Sequence, residues 1–243
     1  MFFDAHIHLQ RMSDLPTVIE KAQKAGVQGF ICNATHPNDW DQVLDIAQKY
    51  NMVYPALGVH PWYVESLPPD WDKKLELLLR QNPALMVGEI GLDNTRPNMD
   101  LQEKVLRRQL DLAALYHRPV HIHCVRAWDR LLHIFKTQRK IMPPKILSHS
   151  HHGNKDLISE MIAKYNAYFS YSSIVLPENR AKVRACLIAT PLDRLMAESD
   201  APDLMPDPAL LEALVDKIAQ IRNADKTQIK QALYHNAMEF ING

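Results

Sequence analysis

The sequence has little of what marks secreted or membrane-embedded proteins. Only three cysteines, Cys32, Cys124 and Cys186, occur in 243 residues, which is too few for a disulfide framework and fits a reducing compartment. The amino-terminal residues lack the basic and apolar regions of a signal peptide, and no apolar run approaches the ~20 residues that span a bilayer. The sequence therefore predicts a cytoplasmic protein without a membrane partner.

An excess of either charge is also absent, because 28 Lys and Arg residues balance 28 Asp and Glu residues. Such a chain has no global positive field with which to coat nucleic acid, although it can still bind a phosphate locally. A flexible linker and a low-complexity tract are absent too, while the hydrophobic content of 47% allows a sizeable core. We predict a single domain over residues 1–243, with no obligate protein partner.

Short apolar segments alternate with helical segments eight times along the chain. The predicted strands lie at residues 2–9, 29–33, 52–59, 85–92, 120–124, 145–149, 167–171 and 195–198, and helices at 209–221 and 226–239 close the sequence. Such alternation implies parallel strands with right-handed crossovers, and eight units in roughly 250 residues is the size of a (β/α)8 TIM barrel. A doubly wound open sheet is the alternative, but no Gly-x-Gly-x-x-Gly follows the first strand. The predicted fold is therefore α/β, a TIM barrel.

Two histidines near the amino terminus give the first functional signal. Residues two apart on a strand face the same side, so His6 and His8 would aim two imidazoles at one point. Imidazole is a ligand suited to zinc and similar divalent ions. The alternative is a pair of core histidines bonded to backbone, and the pair indicates a metal only if further ligands lie at the same level.

Further polar residues do fall at predicted strand ends, where a TIM barrel carries its catalytic groups. They are His60, Glu89, His123, His149 and Asp200. A carboxylate can bridge two divalent ions with its two oxygens, and two such ions suit phosphoryl transfer. Glu89 is the predicted bridge because Gly88 and Gly91 leave space beside it. Asp200 is predicted to act on the attacking water as ligand and orienting base.

Six short motifs run in order over nearly the whole chain. They are Asp4-Ala5-His6-Ile7-His8, Gly58-Val59-His60-Pro61, Gly88-Glu89-Ile90-Gly91-Leu92-Asp93, Pro119-Val120-His121-Ile122-His123, His149 ahead of Gly153, and Glu198-Ser199-Asp200-Ala201-Pro202. Together they resemble the TatD family of metal-dependent hydrolases, a (β/α)8 group of deoxyribonuclease-like enzymes. The resemblance implies two divalent ions that share Glu89. One would be held by His6, His8, Glu89 and Asp200, and the other by Glu89, His123 and His149.

The loops around this set depart from the family pattern. Gln10 stands where Asp or Asn is usual, Arg126 lies one place later than the family's arginine, and Ser150-His151 stands where Cys-Phe is common. The metal ligands match better than the substrate-facing residues do. We predict that His60, Arg126 and His152 contact substrate, because donors and cations at the rim suit phosphate oxygens. Glu198 is predicted to orient a ligand histidine, and His121 to lie in the core.

The leading functional prediction is a metal-dependent DNase or phosphodiesterase that acts on DNA ends or on a small phosphate ester. The alternative is an amide or ester hydrolase of the deacylase type, many of which use a carboxylated lysine as the bridge. Here Glu89 occupies the bridging position, whereas Lys145 lies at the wrong end of its strand, so the phosphodiesterase is favoured. A metal-binding protein without catalysis is the third hypothesis. The ions themselves remain open among zinc, manganese, magnesium and iron.

Overall fold

The computed structural model describes residues 1–138 and 142–242. Within them the strands are β1 Phe2–Ile7, β2 Val27–Asn33, β3 Val53–Ala56, β4 Val87–Asp93, β5 Val120–Val125, β6 Ile146–Ser148, β7 Ala167–Tyr171 and β8 Leu195–Ala197. The helices are α1 Leu15–Lys24, α2 Trp40–Lys49, α3 Trp71–Gln81, α4 Met99–Leu115, α5 Trp128–Thr137, α6 Ile158–Tyr165, α7 Ala181–Ala189, α8 Leu211–Arg222 and α9 Lys226–Asn242. A 3-10 helix, Pro61–Ser66, follows β3.

The strands pair in parallel and in chain order around a closed ring. The ladders join β1 to β2 and β3, and β4 through to β8. At the first junction the Leu57 amide donates to the Met86 carbonyl at 3.1 Å, and at the second the Asp200 amide donates to the His6 carbonyl at 2.9 Å. This closure confirms the predicted TIM barrel and excludes the open sheet. The single domain over residues 1–243 stays a prediction.

The barrel has an inner and an outer apolar layer, because parallel strands are buried on both faces. On β2 the side chain of Ile31 belongs to the inner cluster, while Phe30 packs in the outer cluster with Trp40 of α2. The inner cluster also contains Ala237 and Phe240 of α9. The last helix therefore packs against the barrel interior.

The position of α9 decides which end of the barrel is open. Lys145 immediately precedes β6, and its ammonium group donates to the carbonyl of Glu239 on α9. The helix thus covers the amino ends of the strands. The carboxyl ends are left for the functional site, as expected for this fold.

Several predicted boundaries differ from the structure. The strand predicted at 52–59 ends at Ala56. Leu57 still bonds to the backbone of Met86 and Gly88, but the backbone of Gly58 and Val59 bonds to side chains of helices instead of to a neighbouring strand. Trp40 donates its indole N–H to the Gly58 carbonyl at 2.9 Å, and the Val59 amide donates to Gln109 Oε1 at 2.7 Å. The loop that follows β3 is accordingly longer than predicted.

Candidate metal centre

The two histidines of the first strand converge on one carboxylate oxygen. His6 lies near the end of β1 and His8 directly after it, and both side chains are buried. His6 Nε2 lies 3.3 Å from Glu89 Oε2, and His8 Nε2 lies 3.4 Å from the same oxygen. The strand alternation thus brings both rings to one point on the barrel axis.

The other oxygen of Glu89 faces a second group of imidazoles. Glu89 Oε1 lies 2.8 Å from His149 Nε2, 2.9 Å from His123 Nδ1 and 3.3 Å from His60 Nε2. Burial alone would favour the neutral acid, but the adjacent imidazoles, that of His149 foremost, hold the pKa of Glu89 well below its usual range. Glu89 is therefore a buried carboxylate between two sets of nitrogen ligands.

Asp200 completes the first set from the opposite end of the chain. It follows β8, and its Oδ1 lies 3.3 Å from His8 Nε2 and 3.8 Å from His6 Nε2. Its backbone is in the left-handed region, with φ of 47°. Burial opposes its ionisation, yet the contact with His8 lowers the pKa of Asp200 to about 2.

Two of the rings are fixed by contacts on their far side. His8 Nδ1 lies 2.8 Å from the Asn33 carbonyl oxygen, to which it must donate. His149 Nδ1 lies 3.3 Å from Glu198 Oε1, and Ser170 donates its hydroxyl to the other oxygen of Glu198. A proton held on Nδ1 leaves Nε2 with a lone pair for a metal, the arrangement expected of ligand histidines.

His60 has the opposite tautomer. The backbone amide of Trp62 donates to His60 Nδ1 at 3.2 Å, so the neutral ring carries its proton on Nε2. Burial, opposed by Glu89 and reinforced by His123, lowers the pKa of His60 to about 4. His60 is therefore a neutral hydrogen-bond donor at this site and has no free lone pair for a metal.

The donor atoms fit a divalent ion. Among the described residues, ligand atoms of His6, His8 and Glu89 all lie within 4.8 Å of one another. The charge balance also fits, because no Lys or Arg in residues 1–138 and 142–242 forms an ion pair with Glu89 or Asp200. Burial opposes the protonation of His8, yet the contact with Asp200 and the charge of Glu89 raise its pKa to about 9, so the position attracts a cation. Imidazole and carboxylate together suit zinc, iron or manganese.

A cavity of about 390 Å³ opens over this cluster at the carboxyl ends of the strands. His60 and His152 line it, as the sequence predicts for substrate contacts. Arg126 does not: it lies at φ 52° just after β5, is exposed, and lines a separate depression with Trp128. The chain turns at Arg126 and carries its side chain out of the cavity.

Several residues that line the cavity lie outside the sequence motifs. They are Arg11, Trp62, Tyr63, Ile174, Arg180 and Leu204. Trp62 and Tyr63 directly follow the Gly-Val-His-Pro motif, which is a signal that could have indicated them, whereas Arg180 lies in the loop before α7 and has none. His121, by contrast, is fully buried against Phe240 with ring centroids 5.3 Å apart, so it belongs to the core.

Comparison with protein families identifies the group to which this arrangement belongs. Residues 3–242 match the family model described as TatD related DNase. The chain belongs to the TatD-related DNase family. The predicted resemblance is thereby confirmed, and with it membership of a family of metal-dependent hydrolases.

Individual TatD proteins are similar over their full lengths. The 3′-5′ ssDNA/RNA exonuclease TatD of Edwardsiella piscicida is 30% identical over 246 residues, which cover 95% of this chain and 94% of that protein. Human deoxyribonuclease TATDN3 is 28% identical, with 97% and 93% covered. The crystal structure of the TatD homologue YjjV of Escherichia coli superposes with a TM-score of 0.92 at 27% identity, covering 100% and 98%.

More distant barrels show only a shared fold. A putative amidohydrolase from Staphylococcus aureus has a TM-score of 0.62 at 12% identity, covering 100% of this chain and 99% of its own. The TatD matches therefore favour the nuclease hypothesis over the deacylase alternative. In the described part of the chain, no helix combines the length and the hydropathy needed to cross a membrane.

Proposed function

We propose that this TatD protein is a two-metal phosphodiesterase that hydrolyses the ends of single-stranded DNA or RNA, or a small nucleotide ester. The observation that carries the proposal is that the two carboxylate oxygens of Glu89 face different histidines. Oε2 faces His6 and His8, while Oε1 faces His123 and His149. A carboxylate with each oxygen among different nitrogen ligands is suited to bridge two divalent ions.

The ligands divide into two sets. The first consists of His6, His8, Glu89 and Asp200, and the second of Glu89, His123 and His149. When bound there, a pair of divalent ions supplies positive charge for both the attacking and the leaving oxygen of a phosphodiester. Zinc, manganese, magnesium and iron can all bind such histidine and carboxylate ligands.

The protein's own residues supply the proton transfer and the orientation of the substrate. Asp200 contacts His8 through Oδ1, so its second oxygen can accept the proton of the attacking water. His60, neutral and protonated on Nε2, donates a hydrogen bond to a phosphate oxygen. Because the His60 ring is neutral, this hydrogen bond orients the phosphate oxygen but does not protonate it.

The rim of the cavity suits an anionic substrate. Arg11 is paired with Asp203, its Nη2 lying 2.8 Å from Asp203 Oδ1. Arg180 lines the same cavity, and within the described ranges no carboxylate lies within ion-pair distance of its guanidinium. We therefore propose Arg180, rather than Arg126, as the phosphate-binding arginine, together with His152 at the rim.

The relatives support a nucleic-acid substrate. One similar protein is a 3′-5′ ssDNA/RNA exonuclease and another a deoxyribonuclease. A cavity of about 390 Å³ closed at its base by the metal ligands suits the terminal nucleotide of a single strand. The chain's balanced charge, with 28 basic and 28 acidic residues, agrees with local rather than extended binding.

A substrate screen tests the proposal. The purified protein, loaded in turn with zinc, manganese and magnesium, is given a labelled single-stranded oligonucleotide, a dinucleotide, an acyl ester and an acyl amide. We expect stepwise shortening of the oligonucleotide and no acyl hydrolysis. Acyl hydrolysis alone would establish the deacylase alternative, and metal binding without hydrolysis of any substrate would establish a non-catalytic protein.

A further inference from the structure

Trp62 is an exposed aromatic side chain at the mouth of the metal-centre cavity. It lies in the 3-10 helix Pro61–Ser66, two residues after His60, and lines the cavity although 48% of it is exposed. Large aromatic side chains are usually buried because they carry much apolar surface. An exposed indole at the mouth of the candidate metal-centre cavity is therefore available to contact a ligand.

The plane of the Trp62 ring is fixed by three contacts. Its indole N–H donates to Asp93 Oδ2 at 2.6 Å, and the His60 ring lies nearly perpendicular to it, with ring centroids 5.0 Å apart at 89°. The guanidinium carbon of Arg96 lies 4.4 Å from the ring centroid. The guanidinium of Arg96 therefore covers one face of the indole, and 48% of Trp62 stays exposed beside the cavity that it lines. A ring held this way loses little freedom on binding.

We propose that Trp62 is the stacking platform for the nucleobase of the nucleotide whose phosphate occupies the metal centre; this inference rests on the proposed phosphodiesterase function. The same Asp93 Oδ2 that holds Trp62 lies 3.5 Å from His123 Nε2, so the platform adjoins the metal ligands. Every base has a π-face, and stacking on an aromatic side chain is tolerant of sequence. A base inside a duplex is already stacked on both faces and cannot offer one to Trp62, so the platform favours unpaired ends.

Calorimetric titration of the zinc-loaded protein with two ligands tests this assignment. Adenosine 5′-monophosphate carries a base and a phosphate, and ribose 5-phosphate carries the phosphate alone. We expect the nucleotide to bind roughly 5- to 150-fold more tightly, the range that one stacked base contributes. Trp62→Ala should abolish this difference while leaving the affinity for ribose 5-phosphate unchanged.

Trp62→Phe separates stacking from support of the metal ligand. Phenylalanine keeps a ring but loses the N–H bond to Asp93, so it should retain most of the base preference. Trp71→Phe, at the start of α3 and outside the cavity, is the matched control and should bind like the unmodified protein. The inference is wrong if Trp62→Ala weakens both ligands equally, if Trp62→Phe behaves as Trp62→Ala, or if neither changes the preference. Failure of the proposed function would appear separately, as absence of oligonucleotide hydrolysis by the unmodified protein.

Discussion

At the scale of single residues, the hydrogen-bond partner of Nδ1 in each imidazole determines whether Nε2 carries a proton or a lone pair. Glu198 accepts a hydrogen bond from His149 Nδ1 at 3.3 Å and another from the Ser170 hydroxyl. His60 instead accepts a backbone N–H at Nδ1. Two histidines at one level of the barrel, a proposed metal ligand and a hydrogen-bond donor, thus differ because their outer partners differ.

The outer partner of His149 gives a first prediction. Glu198→Gln keeps the shape but removes the charge that raises the basicity of the ring, so metal affinity should fall about 10- to 100-fold. Titration of zinc against a competing chelator measures it. Glu178→Gln, at an exposed position, is the control and should leave the affinity unchanged. Equal zinc affinity in Glu198→Gln and the unmodified protein would contradict the role.

Asp200 carries the prediction on proton transfer. Asp200→Asn keeps one ligating oxygen but removes the base, so kcat should fall by roughly 10²- to 10⁴-fold, with at least one metal retained. Metal content and kcat are measured on one preparation. Full activity with both metals bound would eliminate the base role, whereas loss of all metal would make Asp200 a ligand only.

Arg180 and Arg126 give a matched pair of variants for the prediction on phosphate binding. Arg180 lines the metal-centre cavity, whereas Arg126 lies outside it. Arg180→Ala should raise KM for an oligonucleotide about fivefold, in the range of one exposed charge contact of about 1 kcal/mol, and leave kcat unchanged because the contact is uniform binding. Arg126→Ala should leave both constants unchanged. The reverse pattern would restore the sequence-based prediction for Arg126.

At the scale of elements, α9 closes one end of the barrel with side chains of its last turns. Phe240 is fully buried in the inner cluster, with its ring 5.3 Å from His121 and 5.5 Å from Tyr168. This packing fixes the helix across the amino ends of the strands and keeps it away from the metal ligands. Its contribution should therefore be to stability.

Phe240→Ala tests that separation. Removing a buried phenyl ring costs about 3–5 kcal/mol, so the free energy of unfolding in urea should fall by that amount. kcat of the folded protein should change little, because the cavity lies at the other end. Ile188→Ala, at a side chain that is 58% exposed, is the control and should be nearly neutral. A loss below about 1 kcal/mol for Phe240→Ala would show that α9 does not stabilise the barrel.

The elements also explain which features can be predicted from the sequence. Buried parallel strands are continuous apolar runs, and polar residues such as His123 and Asp200 at their carboxyl ends are visible for that reason. Loop geometry is not visible in the same way. The φ of 52° at Arg126 turns its side chain out of the cavity, and Arg180 reaches the cavity from a loop with no motif. The tautomer of a histidine cannot be read from the sequence either, because it depends on distant partners. The contact that sets it for His149, with Glu198, spans 49 residues.

At the scale of the whole molecule, closing the barrel brings the first and last strands together and buries acidic groups on its axis. Glu89 and Asp200 come from β4 and from the end of β8, and both are buried. A buried carboxylate without a cation is costly, and in the described chain only imidazoles form ion pairs with these two. The fold therefore brings together a site whose stability should depend on a bound cation.

Metal removal gives the corresponding prediction for the intact protein. An ion that binds only the folded state stabilises it by about 2.7 kcal/mol at a concentration 100-fold above Kd, which in a domain of this size raises Tm by roughly 5–10 °C. Calorimetric scans of chelator-treated protein, with and without added zinc or manganese, measure the shift. Glu89→Gln removes the shared ligand charge, so its Tm should respond far less to the same ions. Equal Tm values for the metal-free and the metal-loaded unmodified protein would mean that protonated histidines balance the charge of the carboxylates. A bound metal ion would then not stabilise the fold, and the prediction would be wrong.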